Sequence, residues 1–234
     1  MTSKPVRIGI IGGMSWQSTQ SYYQQINQQV SERLGGLHSA DLLIHSVDFQ
    51  QISQWQHDNR WDALAETLCD SASLLCQGGA QAIVIATNTM HKVAAEVARA
   101  IPVPLIHIAD ATAKRCHQVG SLKVGLLGTR FTMEQPFYRE RLASHQLEVI
   151  VPDDIERDAV HNIIYDELCK GVINDASKKR YLEIIQRLQA QGAKAIVLGC
   201  TEIGLLVKQE HSSVPLIDTT AEHVAAIVDR ICQK

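Results

Sequence analysis

The chain has 234 residues, 45% hydrophobic and 20% charged, with a formal net charge of -3 and a pI near 6.4. That is the balance of a soluble globular protein with length enough for one large domain or two small ones. Lysine and arginine are scattered, so composition offers no footprint for nucleic acid and no polybasic patch for a membrane surface.

Val6–Ile11 is a short apolar run ending in Gly12-Gly13-Met14-Ser15, too short for a signal peptide's core and without a cleavage site after it. No apolar stretch reaches the length that spans a bilayer. The six cysteines (69, 76, 116, 169, 200 and 232) form no CxxC and no zinc-type pairing with histidine, which predicts a reduced, cytoplasmic protein.

Strand and helix patterns then alternate. The first strand leads to a predicted helix over 16–34, with Tyr22, Ile26, Val30 and Leu34 at four-residue spacing and Gly35-Gly36 as its stop. A second strand is expected at 42–47, then a polar, Gln-rich stretch leading to Trp61-Asp62 and a helix carrying Leu64, Leu68, Ala72 and Leu75-Cys76 inward. The third strand, 82–86, runs into Thr87-Asn88-Thr89-Met90-His91 and a helix through Val93 and Val97. Further strands are predicted at 105–108, 124–127, 149–151, 196–199 and 216–217. Helices are predicted at 109–119, 154–169, 176–190 and about 220–232. Alternation of this kind means an α/β protein with parallel sheets.

The two halves repeat. Arg7-Ile8-Gly9-Ile10-Ile11-Gly12 matches Lys123-Val124-Gly125-Leu126-Leu127-Gly128. Gly79-Ala80-Gln81-Ala82-Ile83-Val84 matches Gly192-Ala193-Lys194-Ala195-Ile196-Val197, and Val103-Pro104-Leu105-Ile106 matches Val214-Pro215-Leu216-Ile217. Three ordered matches predict two pseudo-symmetric lobes, each a parallel sheet flanked by helices, with a site in the cleft between them. The expected division is 1–110 and 111–217, with a C-terminal helix over about 218–234 packing back on the first lobe.

Chemistry gathers where strands end, because open α/β sheets bind ligands at the carboxyl ends of their strands. Ala195–Gly199 delivers Cys200-Thr201-Glu202 to such an end, and Thr87-Asn88-Thr89 occupies the matching place in the first half. A cysteine at a helix start has a lowered pKa, so Cys200 is expected to ionise readily. Opposed proton carriers at the two strand ends suit a reaction that inverts a carbon centre. Packing is the alternative for Cys200, and helix capping for Asn88 and Thr89.

Gly12-Gly13-Met14-Ser15, Asn88-Thr89-Met90-His91 and Gly199-Cys200-Thr201-Glu202 together resemble the pyridoxal-independent aspartate/glutamate racemase family, over essentially the whole chain. The family pattern has a cysteine directly before the Asn-Thr pair, where this chain has Thr87. In that it resembles an enterobacterial branch with the same Thr/Cys pair, described as L-aspartate/glutamate-specific or as a broader amino-acid racemase. The resemblance implies Cys200 as thiolate base for an L-amino acid and Thr87 as the proton carrier on the opposite face. It also implies a cofactor-independent enzyme with no metal, and a homodimer.

The carbanion's carboxylate needs preorganised donors, for which Met14, Ser15, Asn88, Thr89, Thr129 and Thr201 are the candidates. Gln56 and Lys170, both expected in loops, are candidates for reading the substrate side chain. Glu202 either caps its helix or steers the thiol. His91 is expected to face solvent, and His45 and His107 to be satisfied structural histidines. Three other readings stand beside the racemase. One is a dinucleotide-binding enzyme, which the missing GxGxxG spacing disfavours. The others are a single-cysteine decarboxylase of the same superfamily and a non-catalytic amino-acid-binding protein.

Overall fold

The computed structural model describes residues 6–233. Two compact units divide them: the residues through His107 together with those from His223 on, and Ile108–Glu222.

In the first unit, β1 (Ile8–Gly12), α1 (Trp16–Leu34), β2 (Leu42–Ser46), α2 (Phe49–His57), α3 (Trp61–Gln77), β3 (Ala82–Ile85), a 3-10 turn over Thr89–Val93, α4 (Ala94–Ala100) and β4 (Leu105–Ile106) follow in order. The second unit contains α5 (Ile108–Gln118), β5 (Lys123–Gly128), α6 (Arg130–Glu134), α7 (Pro136–Ser144), β6 (Glu148–Ile150) and α8 (Asp154–Asn162). A π turn (Ile163–Glu167) and a 3-10 turn (Leu168–Lys170) come next, then α9 (Asp175–Ala190), β7 (Ala195–Gly199), α10 (Ile203–Leu206) and β8 (Leu216–Asp218). The last helix, α11 (Thr219–Cys232), starts in the second unit and from His223 onward belongs to the first.

All the strand pairs are parallel, and the two sheets have the same order, β2-β1-β3-β4 and β6-β5-β7-β8. Successive side chains on a strand point to opposite faces. Accordingly Ile11, Ile83 and Ile85 pack with Leu64, Leu68 and Val97 on one face of the first sheet. Ile8, Ile10, Ala82 and Val84 pack on the other, under Tyr22 and Ile26 of α1 and Val224, Ile227 and Val228 of α11. The second sheet repeats the division, with Leu127, Ile196 and Leu198 on the α8–α9 side and Val124, Leu126, Ala195 and Val197 on the α5–α7 side. Burial on both faces is why these strands read as continuous apolar runs.

The repeat extends to single atoms. A Cβ on Gly9 would lie 2.7 Å from Ile83 Cδ1, and one on Gly125 would lie 2.7 Å from Ile196 Cδ1. Gln81 N donates to Arg7 O at 2.8 Å, and Lys194 N to Lys123 O at the same distance.

Three expectations are corrected. The Gln-rich stretch is helical: α2 buries Ile52 and Gln56, and Asp48 caps it by accepting from Gln50 N. So Gln56 stands on a helix rather than in a loop. The helix predicted over 154–169 ends as α8 at Asn162 and continues as a π turn and a 3-10 turn. Finally, His91 is buried, at 3% exposure.

Candidate active site

Each unit presents its candidate residues beyond the carboxyl ends of its two central strands, except Gln56 on α2 and Lys170 on the 3-10 turn. In the first unit the chain leaves β1 through Gly13, whose φ of +89° and close approach to Val47 exclude a side chain: a Cβ there would sit 2.2 Å from Val47 O. Gly13 N donates to Thr19 Oγ1 at 2.8 Å. Ser15 is the N-cap of α1, its Oγ accepting from Ser18 N at 3.2 Å, and Met14 and Ser15 are both buried.

Beyond β3, Thr87 keeps part of its surface, while Asn88 and Thr89 are buried. Asn88 precedes the 3-10 turn without a side-chain capping bond, so capping does not account for it. Gln56, 4% exposed, donates from Nε2 to Met90 Sδ at 3.1 Å. Its Oε1 is buried and has no hydrogen-bond partner among the described residues. A buried amide oxygen left in that state costs free energy until something donates to it.

The ring Nδ1 of His91 lies 2.8 Å from Thr87 O. Burial, then His107 and His223, hold the imidazole well below its ordinary pKa, so it is neutral. His45 also departs from expectation, because its Nδ1 is buried with no hydrogen-bond partner among the described residues.

In the second unit Thr129 follows β5 as the N-cap of α6 and accepts from Thr132 N. Beyond β7, the Cys200 thiol donates to the Glu202 carboxylate at 3.0 Å, and the Thr201 hydroxyl donates to the same oxygen. Glu202 is buried and makes no side-chain cap bond to α10, so of the two roles open to it the observed one is holding the thiol.

The expected low pKa of Cys200 is overturned. Burial first, then the Glu202 carboxylate and Cys169, push the thiol well above its usual range. The helix that was to lower it, α10, has four residues and begins only at Ile203. Burial, with a neighbouring anion behind it, outweighs so short a helix.

Sequence reasoning missed Tyr165 and Cys169. The π turn carries Tyr165 and the following turn Cys169, and both pack against the apolar cluster that Cys200 borders. Burial pushes the Cys169 thiol up to about 12 and raises the Tyr165 phenol, with Cys200 adding to the latter. An extra residue in a helix often marks a functional region, yet it has no signature in sequence. Lys170, on the same turn as Cys169, is solvent-exposed and pairs with Asp166 at 3.5 Å. Among the described residues no group of histidine, cysteine, aspartate and glutamate could hold a metal ion, and no helix is long and apolar enough to cross a membrane.

The chain is thus a duplicated parallel α/β unit with a cysteine–carboxylate pair at the end of its second repeat. The family model for Asp/Glu/hydantoin racemases matches residues 11–227, and the chain belongs to that family. It is similar to a structure from Yersinia pestis described as a putative Asp/Glu racemase, with TM-score 0.92 and 52% identity, covering 97% of this chain and 100% of that one. An aspartate racemase homologue from Pyrococcus horikoshii OT3 aligns at TM-score 0.85 and 33% identity, covering 97% and 99%. The broad-specificity amino-acid racemase RacX of Bacillus subtilis (strain 168) is 25% identical over 221 residues, 92% of this chain and 93% of its own. RacX is named as a racemase, and racemases are isomerases.

Proposed function

We propose that this protein is a cofactor-independent amino-acid racemase acting on L-aspartate, L-glutamate or a wider set of amino acids. The observation that carries the reading is the Cys200 thiol bonded to the Glu202 carboxylate at the end of β7, in a chain of the racemase family. Glu202 takes the thiol's proton, and the thiolate removes the α-proton of the L-amino acid. The high thiol pKa serves this step, since a more basic thiolate is a better acceptor for a weakly acidic C–H bond. Thr87 gives its hydroxyl proton to the opposite face of the carbanion, and that proton is replaced from solvent through water. Cys200 then holds the abstracted proton as its thiol, and Glu202 releases to solvent the proton it took, which restores the resting pair.

Asn88, Thr89, Met14 and Ser15 of the first unit, with Thr129 and Thr201 of the second, are assigned to the α-carboxylate and the charge that spreads into it. The unsatisfied amide oxygen of Gln56 supports a role in binding substrate N–H groups. Lys170 is kept as the reader of a side-chain carboxylate, on the condition that it leaves its exposed pair with Asp166. The six cysteines are free, which supports a reduced cytoplasmic setting. A homodimer follows from the family resemblance and is checked by sedimentation.

The test is proton NMR of the α-hydrogen of L-aspartate, L-glutamate and other L-amino acids with enzyme in D2O, beside Cys200→Ser, with chiral chromatography of the products. Cys200-dependent washout with D-product supports the racemase and ranks its substrates. Absence of exchange on every amino acid overturns it. A single-cysteine decarboxylase, favoured only by Thr87 standing at the first catalytic position, would instead release carbon dioxide from an activated diacid without racemising amino acids.

A further inference from the structure

His91 takes no part in the reaction as written, yet both its ring and its backbone N–H are held by hydrogen bonds. A carbonyl oxygen only accepts, so the 2.8 Å contact between His91 Nδ1 and Thr87 O places the ring hydrogen on Nδ1. The backbone N–H of His91 donates to Asn88 O at 3.0 Å. One residue thus ties off two consecutive carbonyls in the bend that follows β3.

The ring is held from behind. His107 lies 4.4 Å away, centroid to centroid, at 60°, and His223 lies 5.9 Å away at 70°. His223 is fixed in turn, with Nε2–H donating to Ile106 O at 2.8 Å and Nδ1 accepting from the Tyr22 hydroxyl at 2.9 Å. The bracing draws on α1, on β4 and the residue after it, and on α11, so the ring cannot swing without disturbing three elements.

The geometry points to His91 as a positioning residue for Thr87, its ring N–H holding the Thr87–Asn88 peptide plane so that the Thr87 hydroxyl faces the substrate carbon. The inference rests on the two-sided proton transfer proposed above. A threonine hydroxyl is a weak proton donor, so its reach and direction must be set by the backbone beneath it. A displacement of about 1 Å at a reacting group costs on the order of 100-fold in rate. His91 touches neither substrate nor reacting atoms in this scheme; it acts through Thr87 alone.

That restriction supplies the test. In D2O, washout of the α-proton from an L-amino acid requires only Cys200, whereas appearance of the D-enantiomer also requires Thr87. His91→Leu is expected to lower D-product formation by on the order of 100-fold while Cys200-dependent washout stays near the wild-type rate. His91→Gln, which returns an N–H donor of similar reach, is expected to recover most of the lost racemisation. If His91→Leu does not fold, His91→Asn, too short to reach the carbonyl, carries the same comparison. Equal loss of washout and racemisation in the folded variant, or racemisation unchanged, overturns the inference. A wild-type enzyme without washout overturns the racemase itself, which is a distinguishable result.

Discussion

The Cys200 thiol and the Glu202 carboxylate, 3.0 Å apart and two residues apart in sequence, form a pair in which the carboxylate opposes ionisation of the thiol while offering a place for its proton. The balance has a readable consequence. The thiolate is the form that reacts with alkylating agents, so iodoacetamide should label Cys200 slowly at neutral pH and faster as pH rises. Glu202→Gln removes the negative charge beside the sulfur and should move that profile to lower pH. Mass-spectrometric mapping separates Cys200 from the part-exposed Cys69 and Cys76. A profile unmoved by the substitution would mean that burial alone sets the thiol.

Thr87 defines the second prediction. The two enantiomers have equal free energy, so kcat/KM must be the same in both directions, and the asymmetry of a Thr/Cys pair is read directly in exchange. L-substrate should lose its α-proton to D2O faster than it racemises, and D-substrate should exchange slowly. Thr87→Ala should lower D-product formation by about 100-fold or more and spare washout from the L-enantiomer. Thr87→Cys should raise washout from the D-enantiomer, because a thiol ionises far more readily than an alcohol.

His91 gives a third, measured on stability. An unfolded chain's histidine takes a proton as pH falls through about 6.5, whereas the buried ring, facing His107, His223 and beyond them Tyr22, resists it. The unfolded state therefore gains protons that the folded state does not. The stability from this site is full above about pH 6.5 and is lost progressively below it. Urea midpoints taken between about pH 8 and pH 5 should fall with acid, and His91→Gln should flatten the slope.

Much of the architecture is legible in the sequence because it depends on local pattern. β1, β3, β5 and β7 announce themselves as short apolar runs, α1 is framed by Ser15 and Gly35, and the repeat fixes which strands are equivalent. What could not be read depends on contacts distant from the pattern. α2 is hidden because, of its nine residues, only Ile52 and Gln56 are buried. The acidity of Cys200 turns first on its burial and then on where the Glu202 side chain points, and the burial of His91 turns on His223, far away in sequence. A helix of four residues cannot be told from a longer one by Thr201-Glu202 alone.

The paired glycines allow a fourth prediction, on packing. Gly9→Ala puts a methyl group 2.7 Å from Ile83 Cδ1 and 2.9 Å from Ala80 Cβ, and should cost roughly 1–3 kcal/mol. Ile83→Val removes the nearer obstacle, so the double variant should be less destabilised than the sum of the two single changes. Gly125→Ala, facing Ile196 Cδ1 at 2.7 Å and Leu188 Cδ1 at 3.0 Å, should behave alike in thermal melts.

The Tyr22–His223 bond joins residues 201 positions apart, and its partners lie under a sheet whose first strand is Ile8–Gly12. During synthesis, β1 through β4 leave the ribosome long before Val224, Ile227 and Val228, which cover one face of that sheet. The first half of the chain is therefore translated early but completed late. Until then its nascent apolar face is open to chaperones, and to any neighbouring chain translated beside it.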